Sequence, residues 1–248
     1  MTPRAPTAGR REGLDYDRPV SVAPSPVDLV IFDCDGVLVD SEPLSNAVLA
    51  DALTHAGLQT TAEQAVATYK GLHIRDVLAH AEQALGAPLP ADFVPALEDA
   101  RAGAFQRELA GVRGAAETVT AIRAAGIAVC VASQGKRSKT ELTLGLTGLR
   151  SLFDEDAVFS AHSVPRGKPH PDLFLHAARA MGTPPNRTVV IEDTVIGVTA
   201  AVAAGMRAIG YGADSDPDGL RAAGAVVIGD LAELPACLGL DGALPSEG

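Results

Sequence analysis

The sequence predicts an α/β protein in which a parallel sheet has helices on both faces and an all-helical cap domain is inserted after the first strand. Three observations predict this class. The chain contains short, almost continuously apolar runs typical of buried parallel strands, amphipathic helical patterns between them, and one long stretch with helix signals but no strand. Strands that alternate with helices in this way form a Rossmann-like sheet.

Composition and pattern divide the 248 residues into three parts. Residues 1–26 hold five prolines and no helical or strand period, so we expect a flexible leader. Residues 27–43 and 112–248 carry the strands and form the predicted α/β core, whereas residues 44–111 form the predicted helical cap. Because open α/β sheets bind ligands outside the carboxyl ends of their strands, we expect this insert to act as a lid.

Six runs rich in apolar residues are the predicted strands. They span residues 27–33, 127–133, 157–163, 188–193, 206–212 and 225–230. The run at 157–163 is weaker than the others. Each run ends in polar residues or glycine, as expected where a buried strand leaves the sheet.

Helical patterns fill the intervals between the strands. In residues 171–182 the apolar positions follow a helical period, Pro171 suits the first turn, and Gly182 suits the C-terminal cap. Thr61 and Gln64 have the spacing of a capping box. Further helical patterns that end in glycine span residues 44–57, 74–86, 114–126 and 194–205.

Charge and composition exclude several classes of partner. The formal net charge of −11 argues against a protein that binds the phosphate backbone of nucleic acids. Few aromatic residues are available for base stacking. No apolar stretch approaches the roughly 18 residues of a membrane span, and no signal-peptide pattern follows the first residues. We therefore expect neither a nucleic-acid nor a membrane partner.

The three cysteines indicate a reducing compartment. Cys34, Cys130 and Cys237 are far apart and form no Cys-x-x-Cys motif, so neither a disulfide framework nor a zinc site is predicted. We expect a soluble cytoplasmic protein. The sequence gives no prediction of the oligomeric state.

Polar side chains follow three of the predicted strands. Asp33 and Asp35 follow the first strand, Ser133 ends the second, and Glu192 and Asp193 end the strand at 188–193. Because the carboxyl ends of adjacent parallel strands meet at one edge of a sheet, we expect these groups to lie close together. Neighbouring carboxylates repel unless a cation lies among them. Carboxylate oxygens that share a cation with a substrate phosphate are typical of Mg²⁺ sites.

Lys168 adds a positive charge to this predicted site. It lies in the loop between the weak strand and the following helix, with glycine before it and proline after it. A cation and a lysine would neutralise a phosphoryl group, the Ser133 hydroxyl would donate a hydrogen bond, and one carboxylate could attack phosphorus. The sequence therefore predicts phosphoryl transfer from a small phosphate ester.

Four motifs carry a resemblance to a known family. FDCDGVLVDSE, VASQG, RGKPHPD and VIEDTVIG occur in this order and resemble the four signature motifs of the haloacid dehalogenase superfamily of phosphotransferases. Their spacing and the helical insert resemble the β-phosphoglucomutase-like branch of sugar-phosphate phosphatases and mutases. The resemblance covers about residues 27–240.

The resemblance assigns roles to the motif residues. It implies that Asp33 is the nucleophile and binds Mg²⁺, and that Asp35 is the general acid and base, with its backbone carbonyl on the metal ion. Asp193 would be a metal ligand, and Glu192 would support the metal ion directly or through water. The substrate- and phosphate-binding residues of the core would be Gly36, Ser133, Gln134 and Lys168.

A basic loop in the predicted cap suggests a further substrate contact. Lys70, Gly71, His73 and Arg75 lie between two helical segments, and we expect them to face the site and contact polar groups of the substrate. The competing interpretation is a solvated helix start.

The resemblance leaves two activities open. Lys136 stands where the mutases carry a phosphate-binding lysine, and Lys70 and Gly71 match their lid loop. However, Ser45 stands where the mutases have a histidine, and Ile74 stands where they have an arginine. We therefore favour a Mg²⁺-dependent phosphohydrolase acting through an aspartyl phosphate over a hexose phosphate mutase. A third interpretation is an interaction protein that kept the fold without the chemistry.

Overall fold

The chain folds around a six-stranded parallel sheet. The computed structural model describes residues 26–69, 72 and 74–240, so the predicted leader lies, apart from its last residue, outside the described residues. The strands are β1 (Leu29–Phe32), β2 (Ala128–Ser133), β3 (Val158–Ser160), β4 (Thr188–Glu192), β5 (Arg207–Tyr211) and β6 (Val226–Ile228). They lie in the order β3-β2-β1-β4-β5-β6, and every neighbouring pair is parallel.

Helices occupy the predicted intervals. The α-helices of the described residues are α1 (Glu42–His55), α2 (Ala62–Tyr69), α3 (Ile74–Leu85), α4 (Phe93–Glu108), α5 (Ala115–Ala124), α6 (Arg137–Leu146), α7 (Asp172–Ala180), α8 (Val195–Ala203), α9 (Pro217–Ala222) and α10 (Leu234–Cys237). Short 3₁₀ turns span Leu149–Leu152, Ala161–Ser163, Pro185–Arg187 and Leu231–Glu233. None of the described helices combines the length and the hydropathy needed to span a membrane.

The predicted fold class is confirmed, and every strand is shorter than the run that predicts it. Each of the six apolar runs contains a strand, but β3 covers only three residues of the run at 157–163. The rest of that run forms a 3₁₀ turn, because the Ser160 hydroxyl accepts a hydrogen bond from the backbone N–H of His162 and so directs the chain out of the sheet.

The sheet is buried between two layers of helices. All four residues of β1 are fully buried, as expected for the central strand of a covered parallel sheet. Helix α8 contacts both α7 and α9, whereas α5 contacts α10. Removing each large apolar side chain from water stabilises the fold by about 1.5–3 kcal/mol, so this core fixes the strand ends rigidly.

The helices α1–α4, which we call the helical insert, form a second hydrophobic cluster between β1 and α5. Its buried members are Leu49, Ala50, Leu53, Ala65, Tyr69, Val77, Ala81, Phe93 and Leu97. The predicted capping box is present, because the N–H of Thr61 donates to Gln64 Oε1 at 2.9 Å and the N–H of Gln64 donates to Thr61 Oγ1 at 3.2 Å. Helix α1 begins at Glu42, ahead of the predicted boundary at residue 44, since Pro43 fits its first turn.

Two chain segments join the helical insert to the rest of the molecule, and they run side by side. The N–H of Asp40 donates to the carbonyl of Ala110 at 3.0 Å, and the N–H of Val112 donates to the carbonyl of Leu38 at 2.9 Å. An antiparallel bridge lies between these two hydrogen bonds. We call these paired segments the crossing ribbon.

Candidate active site

The carboxyl ends of three adjacent strands bring the predicted polar residues together. Strand β1 is hydrogen-bonded to β2 on one side and to β4 on the other. Asp33 follows β1, Ser133 ends β2, and Glu192 ends β4. The strand order reverses direction at β1, which makes this edge the switch point where open α/β sheets bind ligands.

Three carboxylates form a buried cluster at this edge. Asp33, Glu192 and Asp193 each offer an oxygen, and these oxygens lie within 4.8 Å of one another. All three residues are buried. Three ionised carboxylates at this spacing repel one another strongly in a medium from which water is excluded.

Lys168 links two of the carboxylates. Its Nζ donates to Asp33 Oδ1 at 2.6 Å and to Glu192 Oε1 at 2.5 Å, and its side chain is only 3 % exposed. The same ammonium lies 5.2 Å from the ring centroid of Phe174. Burial opposes the charge of Lys168, but the two carboxylates outweigh that effect and raise the pKa of the lysine above its usual value.

Lys168 does not by itself neutralise the three carboxylates. Burial, together with the neighbouring charges of Glu192 and Asp35, raises the pKa of Asp33 to about 7 even though Lys168 acts in the opposite direction. Burial is also the largest cause that raises the pKa of Asp193 well above its ordinary value, followed by the charges of Glu192 and Asp33. A bound cation would relieve this repulsion.

The carboxylate oxygens fit a cation at Asp33 and Asp193. Asp193 Oδ1 is buried and has no hydrogen-bond partner among the described residues. In contrast, Glu192 Oε1 accepts from Lys168, and its Oε2 accepts from the N–H and the hydroxyl of Thr194 at 3.0 and 2.7 Å. The residues therefore suit Mg²⁺, with Glu192 holding Lys168 and the start of α8 in place.

Asp193 does not act as a helix cap. The N-cap of α8 is Thr194, whose hydroxyl accepts from the N–H of Gly197 at 3.2 Å. The Asp193 carboxylate packs instead against Gly36, where an added Cβ would lie 2.2 Å from Asp193 Oδ2. Gly36 also has a φ of +78°, which favours glycine, so its place beside the carboxylate depends on the missing side chain.

Asp35 has two partners that the sequence did not reveal. Lys139 Nζ donates to Asp35 Oδ1 at 2.5 Å and to Oδ2 at 2.6 Å, and the Ser41 hydroxyl donates to Oδ1 at 2.5 Å. Lys139 lies in the first turns of α6, three positions after Lys136. Lys136 is the extended N-cap residue of α6, so a helical spacing between the two lysines could not have indicated this contact.

The loops after β2 and β3 are tied to each other. Gln134 Oε1 accepts from the N–H of Lys168 at 3.0 Å, so its side chain positions the lysine loop. Ser133 is buried, and its Oγ accepts from the N–H of Gly135 at 3.1 Å. Lys136 is exposed and precedes the first residue of α6.

The predicted loop of the cap is only partly described. Lys70, Gly71 and His73 lie outside the described residues. Arg75 is 86 % exposed and pairs with Asp76 at 3.3 Å. The structure does not bring Arg75 to the carboxylate cluster, and its contact with substrate stays a prediction.

This fold and its carboxylate-lysine site match a known class of protein. The family model described as haloacid dehalogenase-like hydrolase matches residues 30–211. The chain therefore belongs to the haloacid dehalogenase-like hydrolases, and the predicted family is confirmed. As a member of a hydrolase family, the chain is an enzyme, as its motifs predicted.

Two phosphatases and one solved structure are similar to most of this chain. The chain is 31 % identical over 193 residues to 6-phosphogluconate phosphatase of Escherichia coli K12, covering 77 % of this chain and 85 % of the relative. It is 34 % identical over 192 residues to hexitol phosphatase B of the same strain, covering 75 % and 84 %. A solved Thermotoga maritima structure, provisionally described as a beta-phosphoglucomutase, has a TM-score of 0.75 at 26 % identity and covers 87 % and 100 %.

Proposed function

We propose that this chain is a Mg²⁺-dependent phosphohydrolase that acts on small phosphomonoesters, with sugar phosphates as substrates, through an aspartyl phosphate on Asp33. The observation that carries the proposal is the buried cluster in which Lys168 bridges Asp33 and Glu192 while an oxygen of Asp193 remains without a partner among the described residues. Relatives named as 6-phosphogluconate and hexitol phosphatases support the substrate class.

The metal ion would be held by side chains of this cluster. Asp33 and Asp193 would each supply a carboxylate oxygen, Asp35 would supply its backbone carbonyl, and Glu192 would act through water. When bound, Mg²⁺ supplies positive charge that neutralises the oxygens of the phosphoryl group. The raised pKa values of Asp33 and Asp193 support this assignment, since both carboxylates favour their protonated form until further positive charge is supplied.

In the first half of the reaction Asp33 attacks the substrate. A carboxylate oxygen of Asp33 forms a bond to phosphorus, the bond between phosphorus and the ester oxygen breaks, and that oxygen takes a proton from Asp35. For this step Asp35 must hold a proton in place of one of its two hydrogen bonds from Lys139. Lys168, held 2.6 Å from Asp33 Oδ1, neutralises charge on the phosphoryl oxygens. The Ser133 hydroxyl would donate to the same oxygens. The backbone N–H of Gly36 donates to the carbonyl of Val39 at 2.9 Å, so Gly36 would contribute to the site through its missing side chain and not through this N–H.

In the second half the aspartyl phosphate is hydrolysed. Asp35 takes a proton from water, the water oxygen bonds to phosphorus, and the bond to the Asp33 oxygen breaks. Inorganic phosphate leaves, and both aspartates return to their starting state. Asp35 lies two residues after Asp33, so the loop that follows β1 presents both carboxyl groups to the same phosphorus.

The helical insert acts as the cap in this proposal. Residues 44–111 would cover the core formed by residues 27–43 and 112–248, with the loop from Lys70 to Arg75 contacting polar groups of the substrate. Closure would exclude bulk water during the first half of the reaction. The separate hydrophobic cluster of the insert supports its movement as a unit.

A phosphate-release screen tests the proposal. The panel contains hexose, pentose and polyol phosphates and 6-phosphogluconate, assayed with Mg²⁺, and the Asp33→Asn variant is the control. We expect phosphate release from at least one sugar phosphate and none from the variant. No release from any phosphomonoester, together with a stable macromolecular partner, would favour the non-catalytic interaction protein instead.

A hexose phosphate mutase is the second candidate. The Thermotoga structure favours it, and so does Lys136, which stands where the mutases carry a phosphate-binding lysine. Ser45 and Ile74 depart from the mutase pattern and favour the phosphatase. A coupled assay decides between them: efficient conversion of β-glucose 1-phosphate to glucose 6-phosphate without comparable phosphate release would establish the mutase.

A further inference from the structure

A cavity of about 470 Å³ lies between the helical insert and the core, beside Asp35. Helix α4 forms one wall and α6 the other. Lys139 lines this cavity and also donates to both carboxylate oxygens of Asp35, so the cavity begins next to the proposed general acid. The Lys139 ammonium lies 6.0 Å from the ring centroid of Phe105 on the opposite wall.

The position of the cavity determines which part of a substrate reaches it. In the proposed reaction, Asp35 gives its proton to the ester oxygen of the leaving group, so this oxygen lies against Asp35. In that arrangement the rest of the leaving group would extend away from Asp33, past Lys139. The cavity is therefore placed to contact the part of the molecule that distinguishes one phosphate ester from another.

The cavity is positively charged in a protein that is acidic as a whole. Arg101, Lys136 and Lys139 line it, whereas Glu98 is its only acidic lining residue among the described ones. While Asp35 is the ionised partner of Lys139, the group has an excess of one positive charge, and the excess is two when Asp35 carries the proton for the ester oxygen. The whole chain has a formal net charge of −11, so this local sign is opposite to the average.

Arg101 has a hydrogen-bond donor without an acceptor. Its Nε is buried and has no hydrogen-bond partner among the described residues. Burial lowers the pKa of Arg101, and the charges of Glu98 and Asp35 do not fully compensate. A buried donor left without an acceptor is destabilising, and a guanidinium can bind a carboxylate through two parallel hydrogen bonds.

We propose that Arg101 and Lys139 form a second anion site that binds a carboxylate at the far end of a sugar-acid phosphate. The enzyme would thereby select sugar-acid phosphates over neutral sugar or polyol phosphates. The planar guanidinium of Arg101, with its Nε unpartnered among the described residues, matches the two oxygens of one carboxylate. This inference rests on the proposed phosphatase function, because that function places the leaving group in the cavity.

The test measures binding separately from turnover. Calorimetry on the Asp33→Asn protein with Mg²⁺ gives the Kd values of 6-phosphogluconate and glucitol 6-phosphate. These two ligands differ only at the terminal carbon, which is a carboxylate in the first and a CH₂OH group in the second. We expect 6-phosphogluconate to bind at least about tenfold more tightly, as for one charge-assisted pair. Adding Arg101→Gln should bring the two Kd values within about twofold, through loss of affinity for 6-phosphogluconate alone.

Two further variants control the measurement. Arg107→Gln removes the same charge from the same helix, but Arg107 is exposed and pairs with Glu108, so it should leave the ratio of Kd values unchanged. Arg101→Lys keeps the charge without the planar fork and should retain part of the preference. Circular dichroism and thermal unfolding establish that each variant is folded.

Several outcomes would overturn the second anion site. One is equal affinity of the Asp33→Asn protein, with Arg101 unchanged, for 6-phosphogluconate and glucitol 6-phosphate. Another is an Arg101→Gln effect of the same size on both. If glucose 1,6-bisphosphate depends on Arg101 more than 6-phosphogluconate does, the site takes phosphate and the carboxylate proposal is wrong. Arg101-dependent binding without phosphate release by the wild-type protein would instead contradict the phosphatase and leave the anion site standing.

Discussion

At the scale of single residues, Asp33 carries the proposed chemistry most directly. We expect Asp33→Asn to lower kcat for phosphate release by at least about 10³-fold, because an amide cannot form the acyl phosphate. The variant should remain folded, since it removes one of three crowded carboxylates. A colorimetric assay of phosphate release measures the effect, and a kcat within tenfold of the wild-type value would contradict the role of Asp33.

Lys168 has a structural role that can be measured apart from catalysis. Lys168→Met leaves Glu192 fully buried without its counter-charge, so the free energy of unfolding should fall by about 3–5 kcal/mol. Equilibrium unfolding in urea checks this prediction. Lys168→Met combined with Glu192→Gln should recover part of the loss, and a loss below about 1 kcal/mol in the single variant would show that the pair is dispensable.

Sequence patterns predict which residues lie close together where the order of the strands alone determines their positions. Asp33 and Ser133 end adjacent buried strands, so strand order alone brings them to one edge. Lys139 and Arg101 were not predicted as site residues, because their proximity to Asp35 depends on how α4 and α6 pack in three dimensions. Lys136 was the predicted lysine because of its place in the motif. In the structure, Lys139 forms the ion pair with Asp35.

At the scale of elements, the turn after β1 fixes the distance between the two halves of the proposed metal site. Gly36→Ala should abolish activity and destabilise the protein, because the new Cβ would lie 2.2 Å from Asp193 Oδ2. Gly86→Ala is the matched control, since Gly86 also has a positive φ, +68°, but an added Cβ there has nothing within 4 Å. Phosphate release and thermal unfolding separate the two effects.

The Gly86→Ala control isolates backbone strain from the contact with Asp193. It should cost about 1 kcal/mol of stability and leave kcat unchanged. Equal loss of activity in both variants would show that backbone conformation, and not the carboxylate contact, explains the effect at Gly36.

Elements with a strong hydrophobic pattern could be predicted, and elements without one could not. Helix α7 has a well-defined apolar face and was predicted nearly to its ends. Helix α4 was not singled out, because its apolar residues are not confined to one face and it contains a proline and a glycine. The hydrophobic pattern of the sequence therefore did not predict α4, the helix that forms one wall of the cavity.

At the scale of the whole molecule, the distribution of charge matters more than its sum. The net charge of −11 argues against a polyanion as partner, yet two sites of opposite sign lie close together. One is the buried carboxylate cluster and the other is the cationic cavity beside Asp35. A small phosphate ester with a second negative charge would use both.

The carboxylate cluster should make stability depend on pH and Mg²⁺. The pKa of Asp33 is about 7 in the folded protein and 3.8 without the fold, so between these values the folded state binds more protons than the unfolded state. Without Mg²⁺ the cluster's contribution to stability should be complete below about pH 4 and lost as the pH rises through 7. At pH 8, Mg²⁺ at 100 times its Kd should add about 2.7 kcal/mol, or roughly 5–10 °C in Tm.

Thermal unfolding at pH 5.5 and pH 8, with Mg²⁺ or with EDTA, measures this dependence. The stabilisation by Mg²⁺ should be larger at pH 8, and Asp193→Asn should remove most of it. Chelation should also abolish phosphate release reversibly. A rise in Tm that is the same at both pH values would contradict the assignment of the cation to this cluster.

The crossing ribbon makes the helical insert an exchangeable part. Since the chain enters and leaves the insert at hydrogen-bonded neighbours, Asp40 and Ala110, a linker of a few residues could close the gap without disturbing β1 or α5. The insert also packs around its own hydrophobic cluster. A related insert could therefore be transplanted onto this core, which would change the groups around the leaving group while the proposed catalytic residues of the core stay in place.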